Sequence, residues 1–317
     1  MKASKFFKKA SVFKSELPSI DSVKKAFEEG AFGYREITRS ELSAFGLIAP
    51  KATGEIITPL ASGNGYILMM RTDEKIIPAA SVNDELDKAV ASIETQEGRR
   101  VGRKEKTLIK EDIVSNMALT APVKPSYTLG YFDCSAGKVA IDGSKINVNR
   151  MLILFCNMMG SLETKTLHIR DFKQGLTTRL KGYLSQVDAG DEPDIFGGFY
   201  LSDACSLERK FEKEKKEKIT FNGEILLDDS ETSDQIQRSI DSGFAVESLR
   251  LVYKDLRFKL TSDFKISAIE YPEREESDQE EDPAFAFRSE LMYRFLLIDR
   301  LTDRLLDVFD TNNEEEK

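Results

Sequence analysis

Residues 127–159, YTLGYFDCSAGKVAIDGSKINVNRMLILFCNMM, decide the fold class. The β-prone runs 127–134 and 138–141 are separated by Ser-Ala-Gly, a pattern that predicts a β-hairpin. The run 146–159 that follows is almost wholly apolar and stops at Gly160, which predicts a helix buried on most of its sides. A hairpin leading into a buried helix is typical of an α+β protein, and we expect mixed and antiparallel sheets.

A pair of amphipathic helices is predicted just before this hairpin. The first has a start resembling a capping box at Ser81 and Asp84, and it stops at Gly98. The second is predicted over 105–117, where Ile109, Ile113 and Met117 share one face. Pro122 and Pro125 then end the helical pair, so a helical insertion is expected between the strands of the body.

The flanking segments complete the α+β pattern. Strands are predicted at 10–13, at 66–70 before a charged turn over 71–75, at 163–170, and as a meander over 249–253, 256–260 and 265–269. Helices are predicted at 22–31, at 171–180, from a capping box at Thr232 to Gly243, and at 283–309. In the last helix, Arg294 and Arg300 fall on the predicted wet side, and 208–218 favours an exposed, salt-bridged helix.

This pattern divides the chain into a body and a few appendages. We expect an α/β body over 1–80 and 126–270, and an inserted helical pair over 81–125. An acidic linker is expected at 271–282, a C-terminal helix at 283–312 and a tail at 313–317. Most of the acidic runs fall in the C-terminal third.

Composition excludes several classes of protein. The 317 residues are 40% hydrophobic and 32% charged, which fits a globular protein rather than a disordered chain. No apolar run approaches the roughly 20 residues of a membrane helix, and three dispersed cysteines suggest a reducing compartment. With one histidine, no thiol-imidazole ligand spacing and no glycine-rich phosphate loop, we expect no metal site, no cofactor and no catalytic residues.

Positive charge is gathered into patches although the formal net charge is −9. A basic elbow joins the two inserted helices, and basic residues alternate with apolar ones in the meander. The candidate DNA-binding residues are Arg99, Arg100, Arg103, Lys104, Lys106 and Lys110 in the elbow, and Arg250, Arg257, Lys259 and Lys265 in the meander. Clustered cations are what neutralisation of phosphates requires.

Several segments resemble the RdgC family of bacterial recombination-associated proteins. The likeness lies in EKIIP at 74–78 with the helix after it, in GRRVGRKEK at 98–106 with KED at 110–112, in GSL at 160–162, and in TSDQI at 232–236. It extends with interruptions over about residues 8–300.

The resemblance implies a sequence-independent binder of double-stranded DNA that closes into a ring-shaped homodimer and restrains a RecA-type recombinase. It also implies a protein of the cytoplasm and nucleoid, and no membrane partner. Where the family has an aromatic latch at one dimer contact, this chain has Pro122. At the other contact, the corresponding stretch 219–226 is neutral apart from Glu224, and the basic residues just upstream, Lys213, Lys215, Lys216 and Lys218, are candidates to substitute for it.

Each of these sequence features also has an interpretation that involves no binding function. The elbow is also explained as a solvated helix connection, and the meander cations as the wet face of a half-buried sheet. The five lysines within 1–15 favour a frayed or strand-edge terminus. A Mg²⁺-dependent nuclease is the enzymatic alternative, with Glu214 and Lys216 in acid-x-lysine spacing on either side of Lys215. A third alternative is a protein that contacts the recombinase through the acidic run 273–282.

Overall fold

The computed structural model describes residues 2–160, 164–166, 172–189, 197–210, 216–222, 230–272 and 282–309. Lys213, Lys215, His168, the acidic run 273–281 and the tail lie outside the described residues. The strands are β1 (Lys9–Ser15), β2 (Ser43–Ile48), β3 (Ile57–Pro59), β4 (Gly65–Lys75), β5 (Val123–Asp133), β6 (Lys138–Asp142), β7 (Thr164–Thr166), β8 (Phe199–Lys210), β9 (Lys216–Asn222), β10 (Ala245–Tyr253), β11 (Leu256–Thr261) and β12 (Ile266–Glu270). The helices are α1 (Ile20–Glu29), α2 (Ala79–Glu97), α3 (Arg103–Ala118), α4 (Lys145–Met159), α5 (Phe172–Ala189), α6 (Ser230–Asp241) and α7 (Pro283–Phe309).

One large sheet organises the molecule. Its strand order is β2-β4-β5-β6-β1-β12-β11-β10-β8-β9, with β3 on β4 and β7 on β1. The α+β class, antiparallel sheet structure and the C-terminal helix are confirmed, whereas no mixed sheet is formed by the described strands. Every pairing between the named strands is antiparallel, and short hairpins connect β5 to β6, β10 to β11 and β11 to β12.

Two hydrophobic cores lie on opposite faces of this sheet. On the first face, α5, α6 and α7 pack along the strands, and the ring of Tyr131 stacks on Phe295 with centroids 4.2 Å apart. On the second face, α1 and α4 cover the N-terminal strands, and Phe132 stacks on Phe155 at 4.9 Å. The second face of β10, β11 and β12 has no such helix among the described residues, so their outward side chains meet solvent.

The hairpin and helix that decide the fold class are confirmed as β5, β6 and α4. Ser144 caps α4 through a hydrogen bond from the backbone N–H of Asn147. The expectation that α4 is buried on most sides is wrong in part, because Ile146 and Ile153 are exposed. Since these two residues lie seven apart, they form one solvent-facing stripe of the helix.

Strand β4 continues through the segment predicted as a charged turn. Asp73 is buried within the strand because it accepts hydrogen bonds from the hydroxyl of Tyr34 at 2.5 Å and from the guanidinium of Arg71 at 2.8 Å. These two hydrogen bonds hold the pKa of Asp73 below its usual range, although burial by itself raises it. A local polar network therefore keeps charged residues in an extended conformation.

The predicted helix boundaries shift by a few residues. Helix α2 begins at Ala79 after Pro78, so Ser81 is not its cap, while Gly98 ends it with a φ of 64° as expected. Helix α6 begins at Ser230, two residues before the predicted cap at Thr232. Pro125 lies inside β5 instead of ending the helical pair.

The segment 208–218 is not a helix in its described parts. Residues up to Lys210 belong to β8, and residues from Lys216 belong to β9, which pairs with it. The alternating charges face one another across the strands, as in the 2.9 Å ion pair between Arg209 and Glu217. Opposite charges across a strand pair satisfy the same pattern that favours helical salt bridges.

Candidate nucleic-acid interface

The uncovered face of the sheet carries a row of aligned residues across four strands. Strand register places Arg250 of β10 opposite Lys259 of β11, Lys259 opposite Ser267 of β12, and Ser267 opposite Lys9 of β1. Residues that are directly opposite project from the same face of a sheet. With strands about 4.8 Å apart, the row from Arg250 to Lys9 spans roughly 14 Å.

The cations of the meander differ in their partners. Arg250 is ion-paired with Glu270 and lies 3.3 Å from a carboxylate oxygen of Asp203. Lys265 is ion-paired with Asp263, and the pKa of this carboxyl is lowered by hydrogen bonds from Lys265 and Thr261, although burial opposes them. Both cations are therefore already partly neutralised by the protein itself.

Arg257 and Lys259 differ from the other two meander cations. Within the described residues, no carboxylate oxygen lies within 4.0 Å of either charged group. They are two residues apart in β11 and therefore lie on the same face of the strand. Both point away from the core formed by Phe258 and Leu260. The strand thus exposes two cations on one face that are available for a ligand.

The N-terminal lysines are not on a frayed terminus, which corrects that interpretation. Phe6 and Phe7 are buried in the first core. The carbonyl of Phe6 accepts a hydrogen bond from the guanidinium of Arg294 at 2.9 Å, and the carbonyl of Phe7 accepts one from the hydroxyl of Tyr271 at 2.7 Å. Lys9, in β1, is therefore held by a segment that is anchored on both sides.

Arg294 itself corrects its predicted place on the wet side of α7. It is only 7% exposed, donates to Glu290 at 2.6 Å and lies over the ring of Tyr271 at 4.2 Å. The charge is tolerated in the interior because these groups, together with the carbonyl of Phe6, satisfy it. Sequence periodicity does not distinguish such a buried arginine from an exposed one.

The basic elbow lies at the tip of a protruding helical hairpin. Helices α2 and α3 pack mainly on each other, and the stripe containing Val82 and Val90 is buried between them. Since α2 has 19 residues, it carries the elbow about 28 Å from its first residue. The elbow and the sheet face are therefore not brought together within one chain.

Within the elbow, Arg99 is also engaged by the protein. Its guanidinium donates to Glu97 at 2.6 Å and to both carboxylate oxygens of Glu105 at 2.7 Å. These hydrogen bonds raise the pKa of Arg99 and lower the pKa of Glu105. Arg99 joins the two helices across Gly98 and acts as part of the turn.

The remaining elbow cations are exposed and without an ion-pair partner in the described part of the chain. They are Arg100, Arg103, Lys104, Lys106 and Lys110. Arg103, Lys104 and Lys106 stand in the opening turn of α3, where the helix dipole disfavours positive charge by a few tenths of a kcal/mol each. Their positive charge therefore does not stabilise the helix.

The predicted dimer contact at Pro122 lies in an exposed apolar patch at the base of the hairpin. The patch contains Leu119, which is 53% exposed, Ile76, which is 47% exposed, and Val123. The backbone N–H of Ile76 donates to the carbonyl of Pro122 at 2.9 Å, so the patch is one continuous surface. The basic residues nearest the other predicted contact that can be described are Lys216 and Lys218, which lie near Glu208 and Glu247.

The described residues form neither a metal-binding cluster nor a membrane-spanning helix. No cluster of three or more histidine, cysteine or acidic side chains suited to a metal ion occurs in that part of the chain. In the same ranges, no helix is long and apolar enough to cross a membrane. Of the acid-x-lysine element, Glu214 lies outside the described residues, whereas Lys216 is described as the first residue of β9.

Sequence reasoning missed one cation on the second face. Lys124 lies opposite Glu74 in the pairing of β5 with β4, beside the N-terminal lysines. In the sequence, Lys124 is recognisable only as a lysine shortly after Pro122 at the start of a strand. This position does not indicate which strand β5 pairs with.

Comparison with known proteins supports a single family. A family model described as "Putative exonuclease, RdgC" matches residues 5–312. The curated protein "Recombination-associated protein RdgC" of Neisseria meningitidis serogroup C is 25% identical over 297 residues, covering 90% of this chain and 93% of that protein. The protein of the same name from Laribacter hongkongensis is 27% identical over 234 residues, covering 73% and 72% of the two chains.

A third relative of that name, from Psychromonas ingrahamii, is 25% identical over 291 residues and covers 89% of this chain and 90% of its own. The family match covers nearly the whole chain, including the sheet, the helical hairpin and the C-terminal helix. This chain therefore belongs to the RdgC family of recombination-associated proteins.

Proposed function

We propose that this chain binds duplex DNA without reading its sequence and, as a homodimer closed into a ring, limits the access of a RecA-type recombinase. The observation that carries the proposal is the open face of the sheet, from which Arg257, Lys259 and Lys9 all project. The elbow at the hairpin tip would supply a second set of contacts. Membership of a recombination-associated family supports DNA as the partner.

Electrostatics explain why so acidic a protein would bind a polyanion. Charges act over a Debye length of about 8–10 Å, so a local group of cations attracts phosphates even though the formal net charge is −9. Contacts to the phosphate backbone carry no sequence information. Such a surface therefore favours uniform binding to any duplex, at one place on the molecule.

Dimerisation would use the apolar patch around Pro122 at the hairpin base. Exposed apolar residues grouped in this way mark a protein contact more often than a free surface. Lys213 and Lys215 remain candidates for the second contact. In this mechanism the ring occupies DNA by charge and shape, so no bond is made or broken.

A gel-retention series tests the proposal directly. The native chain should retain linear duplexes of unrelated sequence equally, and retention should weaken by about 10³-fold or more between 50 and 200 mM salt. Equal retention in EDTA and in Mg²⁺, with intact DNA, is the expected result. Shortening of the DNA in Mg²⁺ would instead favour the exonuclease named in the family description.

A second measurement tests the ring. Sedimentation should give the mass of two chains, and a closed circular duplex should be retained less readily than a linear one of the same length, because only the linear form can thread a closed ring. Monomeric mass at working concentration would contradict the dimer while leaving DNA binding to be judged by the gel.

A further inference from the structure

A cleft of about 390 Å³ opens where the N-terminal segment meets the ends of β4 and β5 and the start of α4. Four lysines line it: Lys5, Lys8 and Lys9 from the N-terminal segment and Lys124 from β5. All four are exposed, and among the described residues none lies within ion-pairing distance of a carboxylate. The sequence pattern alone separated Lys124 from the other three by more than a hundred residues.

The two acids in the cleft offset the charge of the four lysines only in part. Glu74 is held by Arg150 of α4, whose guanidinium donates to it at 2.6 Å. Asp142 is only 8% exposed, and the backbone N–H groups of Phe7 and Lys9 hydrogen-bond its carboxylate. The cleft is therefore left with an excess of positive charge, which unpaired lysines maintain only in contact with water or with an anion.

The walls of the cleft are held in place before any ligand arrives. Phe7 adopts a φ of 58°, unusual for a residue with a side chain, and the buried rings of Phe6 and Phe7 maintain this bend. On the opposite wall, the amide of Asn147 donates to the hydroxyl of Ser126 at 3.3 Å. Pre-organised walls reduce the entropy lost when a ligand is bound.

The cleft is also continuous with the open face of the sheet. Lys9 lines the cleft and, by register through Ser267, is the last member of the row that contains Lys259 and Arg250. The positive end of the α4 dipole adds to the field of the lysines. A chain of phosphates that passes Lys259 on the sheet face would therefore meet Lys9 at the edge of the cleft, two strands further on.

We propose that this cleft binds the phosphate groups of a phosphate ester, supplied either by a nucleic-acid strand that crosses the open sheet face or by a free nucleotide. The strand as the source rests on the proposed function. Lysine is a point-charge ligand for phosphate, and a volume of this size accommodates more than one phosphate group.

The test uses the full chain and inorganic tripolyphosphate as the probe. In the cleft variant, Lys5→Gln, Lys8→Gln and Lys124→Gln are combined, and Lys9 is kept because it also belongs to the sheet row. The matched control combines Lys14→Gln, Lys24→Gln and Lys51→Gln, three exposed lysines outside the cleft. All six side chains are exposed, so both variants should fold, and thermal unfolding verifies this.

Calorimetric titration should show tripolyphosphate binding to the native chain and to the control with the same affinity. The cleft variant should bind at least about tenfold more weakly. Absence of binding to the native chain, or equal binding by the cleft variant and the control, would overturn the proposal.

DNA and ATP titrations then identify the source of the phosphate. If a strand occupies the cleft, the cleft variant should lose roughly one unit of salt slope per lysine in duplex binding. If the salt slope is unchanged while ATP and tripolyphosphate binding are lost, a nucleotide is the ligand and the phosphate site stands. A native chain that binds tripolyphosphate but no DNA would contradict the proposed function and leave the cleft intact.

Discussion

The open sheet face with its N-terminal segment and the tip of the α2–α3 hairpin carry similar numbers of cations but are held in different ways. On the sheet side, Phe6 and Phe7 are buried, and Arg294, Tyr271 and Asp142 bind their backbone or that of Lys9. At the tip, the turn is held by exposed ion pairs of Arg99.

This difference teaches that a count of cations does not identify a binding surface. In each region one arginine forms ion pairs within the protein: Arg250 on the sheet and Arg99 at the tip. The cations that remain unpaired are fixed by a sheet in one case and by a projecting hairpin in the other. We expect the stability of the sheet side to depend on its buried polar groups. The stability of the tip should change little when its exposed ion pairs are removed.

The largest expected effect follows from removing the buried anchor of the N-terminal segment. Arg294→Met should lower the free energy of unfolding by about 3–5 kcal/mol, because Glu290 and the carbonyl of Phe6 lose their donor in the interior. Urea denaturation measures this. Arg300→Met on the exposed side of the same helix is the matched control, and an equal effect of both substitutions would contradict the anchor.

The next effect is a pH dependence that belongs to Asp142. Burial raises the pKa of this carboxyl to about 6, although backbone hydrogen bonds from Phe7 and Lys9 and the charges of Lys9 and Arg294 oppose the rise. A raised acid pKa favours the neutral form in the folded state. The stability it contributes is therefore full below pH 3.8, the ordinary value, and is lost as the pH rises through about 6.

Asp142→Asn should remove this dependence. Between pH 4 and 7.5, the native chain should lose up to about 3 kcal/mol of stability relative to the variant. Urea unfolding of the native chain and the variant at several pH values measures this difference in stability. Tyr271 and Glu290, which lie near the site, are unchanged in the variant. A constant difference across this range would show that Asp142 ionises at its ordinary pKa.

A charge reversal compares the two surfaces for DNA binding. Arg257→Glu with Lys259→Glu should weaken duplex binding by about 10- to 100-fold at low salt, since two unpaired cations on a fixed strand are lost. Arg100→Glu with Arg103→Glu reverses the same number of charges at the tip, and a smaller loss is expected. Fluorescence anisotropy ranks the pairs; a larger loss at the tip would place the main contact on the hairpin.

The smallest effect is expected at Arg99. Arg99→Gln should leave the thermal unfolding midpoint unchanged within error, because its ion pairs are exposed. Its salt slope for DNA should also stay close to that of the native chain, whereas Arg100→Gln, at the neighbouring unpaired arginine, should reduce the slope by roughly one. A larger effect of Arg99→Gln would mean that Arg99 leaves its carboxylates to bind phosphate.

Most of the regular structure was predictable because it follows from local periodicity. The bounds of α7 agree with the prediction, and Gly98 ends α2 where a glycine that tolerates positive φ was expected. The errors fell where long-range contacts override local preference. Strand β4 passes through its charged residues because Tyr34 and Arg71 satisfy Asp73, and 208–218 pairs as strands where its charges suggested a helix.

The candidate site was predictable only as a set of residue types. Sequence identified all ten cations, but it did not show that Arg99, Arg250 and Lys265 are engaged by neighbouring carboxylates. It also gave no sign that Lys124 and the N-terminal lysines share a cleft. The ion pair between Arg250 and Glu270 and the cleft both depend on which strands lie side by side in the sheet, and register between distant strands is not encoded in any short segment.

By itself, the sequence determined the α+β class, the helical insertion, the segregation of charge and, through its motifs, the family. Those properties depend on the order and spacing of residues along the chain. Only the tertiary structure decided which cations remain unpaired, that the N-terminal segment is anchored by Arg294, and that Lys259 and Lys9 align across the sheet beside a cleft. Ion pairing and burial depend on distances in space, and folding sets these by bringing together groups up to 288 residues apart.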